Sequence, residues 1–216
     1  MAENQTPNQD VLTDIESHAP ASLHPIIEAA FKYSKQLIIA VCIIIGFAAI
    51  YAVYTGYNNS VISSAQAELG AILVDNPGPE RTAKLETLLT SVPGSMKPAV
   101  VLELAQANMT DGAYDKAVTY WEMLANESSD MNFIARMGKG KSLLLDGKAA
   151  DAMAEFKALA DGASEAYTIP INRQLALAAE AAGDNAQALA AYKVLAEKNT
   201  NDKPFVDYKI SQLESK

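Results

Sequence analysis

Gly140-Lys141-Ser142 comes nearer to a chemical motif than any other stretch of this chain, since it matches the last three positions of a phosphate-binding loop. That loop needs another glycine five residues before the second, and Ala135 stands there. It also needs a strand in front of it, whereas the flanking residues have helical spacing and Gly140 falls where a helix needs a small residue. The chain has two histidines, His18 and His24, in an N-terminal tail and too isolated to suggest a metal site. Cys42 is the one cysteine, inside an apolar run, so neither an intrachain disulfide nor a cysteine metal site is available. Carboxylates are scattered, and no serine sits in an elbow motif. The expectation is a non-enzyme, with no catalytic, cofactor-binding or metal-ligating residues.

What recurs instead is packing. Gly112-Ala-Tyr-Asp-Lys-Ala-Val-Thr-Tyr-Trp-Glu-Met-Leu124, Gly147-Lys-Ala-Ala-Asp-Ala-Met-Ala-Glu-Phe-Lys-Ala-Leu159 and Gly183-Asp-Asn-Ala-Gln-Ala-Leu-Ala-Ala-Tyr-Lys-Val-Leu195 are versions of one another. Successive glycines lie 35 and 36 residues apart. A period near 34 residues with this signature marks stacked helix-turn-helix repeats of the tetratricopeptide kind, which bind rather than catalyse. The glycines suit the left-handed ends of the first helices. Ala105, Gly140 and Ala176 are the small residues of the first helices, and Ala117, Ala152 and Ala188 those of the second. Trp121, Phe156 and Tyr192 are expected to fill the gap towards the next repeat, and Leu124, Leu159 and Leu195 to close the inter-helix core.

Upstream, Val61 to Val74 reads as a helix with Ile62, Ala65, Leu69 and Leu73 on one face, stopping at Asn76-Pro-Gly-Pro79. Pro79 suits the start of the next helix, which runs through Leu85, Leu88 and Leu89 and ends before Pro93-Gly94. Gly78 lies 34 residues before Gly112, so residues 60–92 read as a degenerate first repeat with Thr87 in the aromatic position. A last helix, about Lys203 to Leu213, carries Phe205, Tyr208, Ile210 and Leu213 and is expected to cap the stack.

From Leu37 to Tyr57 run 21 residues without a charge. At about 1.5 Å per residue they reach roughly 32 Å, enough to cross a hydrocarbon core of about 30 Å. Tyr51, Tyr54 and Tyr57 cluster where an aromatic belt would sit. The run starts too late and is too long for a cleaved signal peptide, so a retained transmembrane helix is expected. Lys32 and Lys35 precede it, and the first basic residue after it is Arg81, which predicts a cytoplasmic N-terminus. Of the net charge of −9, residues 1–36 hold −3, with five acidic and two basic side chains, leaving −6 after the span. This argues against nucleic acid and anionic lipid as partners. The expected organisation is a disordered acidic tail over 1–24, a juxtamembrane segment and transmembrane helix over 25–57, and a repeat domain over 58–216. The fold class is all-α: one N-terminal transmembrane helix followed by a tetratricopeptide-like solenoid of three to four repeats.

First helices of such repeats line the concave side of the superhelix. In this register the exposed residues there are Leu102, Gln106 and Met109, then Ile134, Met137, Lys141 and Leu144, then Arg173, Leu177 and Glu180. Met and Leu together adapt to varied apolar segments, so these residues form a candidate partner-binding groove.

The chain resembles the YfgM-type family through His24-Pro-Ile-Ile-Glu-Ala-Ala-Phe-Lys-Tyr33, Val101-Leu-Glu-Leu-Ala-Gln-Ala107, Leu144-Leu-Asp-Gly-Lys-Ala-Ala-Asp-Ala152 and Tyr208-Lys-Ile-Ser-Gln-Leu213. The resemblance spans essentially the whole chain, although Arg136 and Asn172 stand where such repeats usually carry large apolar residues. It implies a single-pass protein of the bacterial inner membrane with a periplasmic repeat domain. It further implies an ancillary role at the Sec translocon beside a PpiD-type prolyl isomerase, helping to hand secretory chains to envelope chaperones. A scaffold for another envelope assembly is the alternative, and no cofactor, metal or nucleic acid is implied.

Overall fold

The computed structural model describes residues 33–75, 77–162, 164–198 and 201–215. The acidic tail, both histidines, Lys32 and most of the juxtamembrane segment lie outside the described residues. The described residues form helices and connecting turns: α1 (Ser34–Asp75), α2 (Pro79–Ser91), α3 (Lys97–Thr110), α4 (Tyr114–Glu127), α5 (Asn132–Leu145), α6 (Ala149–Gly162), α7 (Thr168–Ala182), α8 (Asn185–Glu197) and α9 (Lys203–Glu214). Single 3-10 turns, Gly94–Met96 and Glu165–Tyr167, lead into α3 and α7. The chain divides into two compact units, Met1–Ser60 and Val61–Lys216.

In the first unit, α1 is long and apolar enough to cross a membrane, and none of its most apolar 18-residue window is buried by protein. Ile44, Phe47, Ile50 and Tyr54 are each about two-thirds exposed, and Ile38, Ile39, Val41 and Ile43 surround the same axis. A helix apolar on every side has no water-facing stripe and needs an apolar medium. The sequence predicts separate helices before and after Tyr57, but α1 continues unbroken to Asp75. Tyr57-Asn-Asn-Ser60 holds no proline, and a lone Gly56 costs too little to end a helix.

The second unit is a tetratricopeptide-like stack. From α2 onward each helix is in direct backbone contact with the next, and α5 also touches α7. The three predicted turns adopt the same geometry. Gly112, Gly147 and Gly183 have φ of 73°, 78° and 77°. The N–H of each following residue reaches back to the carbonyl five positions earlier: Ala113 to Asn108 at 2.8 Å, Lys148 to Leu143 at 2.9 Å, Asp184 to Ala179 at 2.9 Å. This is a Schellman closure, which satisfies carbonyls left open at the end of a helix, and glycine is the residue that enters the left-handed region without strain.

The small residues fall as expected, with Ala105, Ala117, Ala152, Ala176 and Ala188 fully buried and Gly140 buried beside them. The core is segmental. One cluster joins α1, α2 and α3 through Ile72, Leu85, Leu88, Val100 and Leu104. A second joins α3, α4 and α5 through Val101, Trp121 and Leu124. The largest runs from α5 to α9 through Phe156, Ile171, Leu195 and Val206. Each side of the stack thus buries its apolar face only against its neighbours, as a solenoid does.

One prediction is corrected and two are sharpened. On α1 the inward stripe is Ile62, Ala65, Leu69 and Ile72, not Leu73, whose carbonyl instead accepts a hydrogen bond from Arg81 at 3.1 Å. On α9 the buried stripe is Val206 and Leu213, with Ile210 packed beside them, while Phe205 and Tyr208 are 49% and 61% exposed. Positions i, i+4 and i+7 share a helix face, and Val206 is the apolar residue in that register. The aromatics also differ in aim: Trp121 faces Gly138 on the following α5, whereas Phe156 faces Gly140 on its own partner helix.

Candidate partner-binding groove

Spacing on α3, α5 and α7 puts each predicted group of groove residues on one stripe: i, i+4, i+7 for Leu102, Gln106 and Met109, and again for Arg173, Leu177 and Glu180. Ile134, Met137, Lys141 and Leu144 follow i, i+3, i+7, i+10. The residues differ in what they are free to do. Gln106, Ile134, Lys141 and Leu177 are exposed, Ile134 by 54% and Leu177 by 46%. Leu102 and Met109 are half-buried against the α3–α5 cluster, and the Met109 sulfur accepts the Trp121 indole N–H at 3.3 Å. Met137 and Leu144 pack against the C-terminal cluster. Their outer edges alone reach solvent.

On α7 the charged members are committed to α9. Arg173 forms a two-pronged ion pair with Asp202, one prong at 2.7 Å. This pairing raises the Arg173 pKa. Glu180 accepts from Lys209 at 2.7 Å, and the Tyr192 hydroxyl, its pKa raised by burial and then by Glu180, lies beside them. Arg173 and Glu180 therefore tie the end helix to the last repeat, a role the sequence spacing could not distinguish from groove lining.

Arg173 and Leu177 come together in one cleft between α7, α8 and α9, with Gln174, Tyr192, Leu195, Asp202, Phe205 and Val206. Gln174 and Phe205 are absent from the predicted groove. The i, i+3 relation of Gln174 to Leu177 was the available signal for the first.

Arg136 and Asn172, the two polar residues at customary apolar positions, are both satisfied. Arg136 pairs with Glu155 on α6, and the Asn172 amide donates to the Thr168 carbonyl at 2.8 Å. Lys139 sits 3.7 Å from the same Glu155 and 3.2 Å from Glu122 on α4, so two cations hold one carboxylate between neighbouring helices. Among the described residues, no three His, Cys, Asp or Glu side chains converge where a metal ion could sit. Lys141, the lysine of the near-miss phosphate motif, is exposed on a helix, and Ser142 is buried with its hydroxyl bonded to the Gly138 carbonyl at 2.9 Å. That arrangement is a packed helix, not a phosphate cradle.

No family model and no curated protein matches the chain. A solved structure described as "MamA RS-1 ArsTM double mutant", a tetratricopeptide-like helical protein, is similar with a TM-score of 0.51 and 16% identity, over 73% of this chain and 94% of that one. At that identity the likeness speaks for the fold.

Proposed function

We propose that the chain is a membrane-anchored protein-interaction scaffold. The observation that carries this reading is the exposure of two large apolar side chains, Ile134 and Leu177, on the first helices of a repeat stack. The α1 segment supports single-pass anchoring, and the basic residues before it support a cytoplasmic N-terminus with residues 58–216 on the periplasmic side of a bacterial inner membrane. The domain limits in this reading are a 1–24 tail, a 25–57 anchor and a 58–216 binding domain. The groove comprises Leu102, Gln106, Met109, Ile134, Met137, Lys141 and Leu144, continued on α7 by Arg173, Leu177 and Glu180.

The finer reading is an ancillary subunit of the Sec translocon, beside a PpiD-type prolyl isomerase, that passes secretory chains to periplasmic chaperones. It rests on the resemblance carried by the sequence motifs. A photo-crosslinker in place of Lys141 tests it, because that side chain is exposed and has no ion pair among the described residues. In native membranes, adducts with translocon subunits, the isomerase or diverse secretory chains are expected. Reproducible adducts with one unrelated envelope complex would replace the Sec reading with that of an assembly scaffold. An introduced thiol in the repeat domain that labels only after the inner membrane is breached would overturn the orientation.

A further inference from the structure

Between α7, α8 and α9 the stack leaves a small half-open space whose chemistry is unlike the rest of the groove. Its floor is Tyr192, Leu195 and Val206, all nearly or fully buried, and its walls are the half-exposed Leu177 and Phe205. It encloses ≈ 120 Å³, against about 150 Å³ for an apolar cavity that accepts benzene. One leucine-sized side chain fits; a helix does not.

The charges around it are already spoken for. The charged residues that line it are Arg173 and Asp202, and they pair with each other. A charged occupant would compete with that pair, so electrostatic complementarity favours a neutral one. At the rim stands Gln174, whose amide makes no hydrogen bond among the described residues. A carboxamide offers one acceptor and a pair of donors, matching the N–H and C=O of a peptide bond. A hydrocarbon chain would leave both unused.

We infer that this cleft anchors one bulky apolar side chain of an uncharged, extended polypeptide segment, with the Gln174 amide pairing to that segment's main chain. The inference rests on reading the repeat stack as a protein-binding scaffold and says what that scaffold selects at its C-terminal end.

The test uses the full chain in lipid nanodiscs and neutral seven-residue peptides, Ser-Gly-Ser-X-Ser-Gly-Ser with blocked ends, followed by ligand-observed NMR. With X as leucine, binding is expected about fiftyfold tighter than with X as alanine, since leucine adds three carbons and about 0.8 kcal/mol accompanies each buried one. It should change less than about twofold between 50 and 500 mM salt, because no ion pair forms. Leu177→Trp fills the space from its exposed wall and should abolish the preference, its folding checked by the thermal midpoint. Gln174→Ala should weaken the leucine peptide several-fold and leave benzene, as a probe without a main chain, unaffected. Equal binding of both peptides, a steep salt dependence, indifference to Leu177→Trp, or lipid acyl signal filling the cleft to the exclusion of peptide would each overturn the inference. The Lys141 crosslinks separate this failure from that of the scaffold reading. Protein adducts that persist while the peptides fail leave the scaffold standing, and loss of both removes it.

Discussion

Gly138 and Gly140 stand in the middle of α5, where an isolated helix would gain from alanine. The packing reverses that sign. A Cβ on Gly140 would lie 2.7 Å from the Phe156 ring, and one on Gly138 would enter the Trp121 indole. Gly138→Ala and Gly140→Ala are each expected to cost about 1–3 kcal/mol, the usual penalty of overpacking. Gly70→Ala, on α1 with open space around it, should instead add about 0.5–1 kcal/mol. Denaturant midpoints of the three variants decide between packing and propensity. Gly140 was legible as a small-residue position from the repeat alignment. Gly138 was not, because its partner Trp121 belongs to the preceding repeat and no spacing within one repeat reports it. Tyr120 gives the pH dependence at this scale. Burial, then its 3.0 Å hydrogen bond to Glu86 and that carboxylate's charge, push the hydroxyl from 10.0 up to about 12. A raised folded-state pKa means the folded protein holds the proton longer than the unfolded chain does. Stability is therefore intact below pH 10 and falls as the pH climbs from 10 towards 12. Tyr120→Phe should flatten that fall in unfolding titrations taken at pH 9, 10 and 11, and a fall of unchanged steepness would assign it to the lysine ion pairs instead.

At the scale of elements, turns and small residues could be read from sequence and one helix face could not. Glycine at a fixed offset from alanine, aromatic and leucine encodes a left-handed closure, and the three closures have nearly identical φ and hydrogen bonds. The α9 face was not legible because Phe205 and Tyr208 are the largest apolar residues there, while burial follows angular position and selects Val206, Ile210 and Leu213. Val206→Ala should cost about 2 kcal/mol, from two methyl groups lost at a fully buried site. Tyr208→Ser should stay within about 0.5 kcal/mol. A thermal scan of the pair checks the face: a larger loss for Tyr208→Ser would reverse it. The groove was legible only in part for a related reason. Helical spacing identifies stripes, but it does not reveal that Arg173 and Glu180 meet partners 29 residues further along the chain.

Across the whole molecule, three apolar clusters follow one another along the repeats in place of a single centre. Energy lost in one cluster should stay near it. Leu85→Ala, at a fully buried site of the first cluster, is expected to cost about 2–5 kcal/mol. Hydrogen exchange should show faster opening of α2 and α3 with protection in α7 and α8 nearly unchanged. Uniform acceleration along the repeat unit would mean one cooperative body instead. Solenoid architecture was visible in the sequence through its period, whereas the division between clusters depends on which side chains cross each helix interface.

The fastening of α9 has a consequence for proteolysis. Val206 and Leu213 seat it in the C-terminal apolar cluster, whereas Arg173–Asp202 and Glu180–Lys209, its ties to α7, are ion pairs partly open to water. Salt weakens such pairs, so a protease that needs several unfolded residues should cut within α9 more readily at high ionic strength, while the repeats behind it keep their resistance.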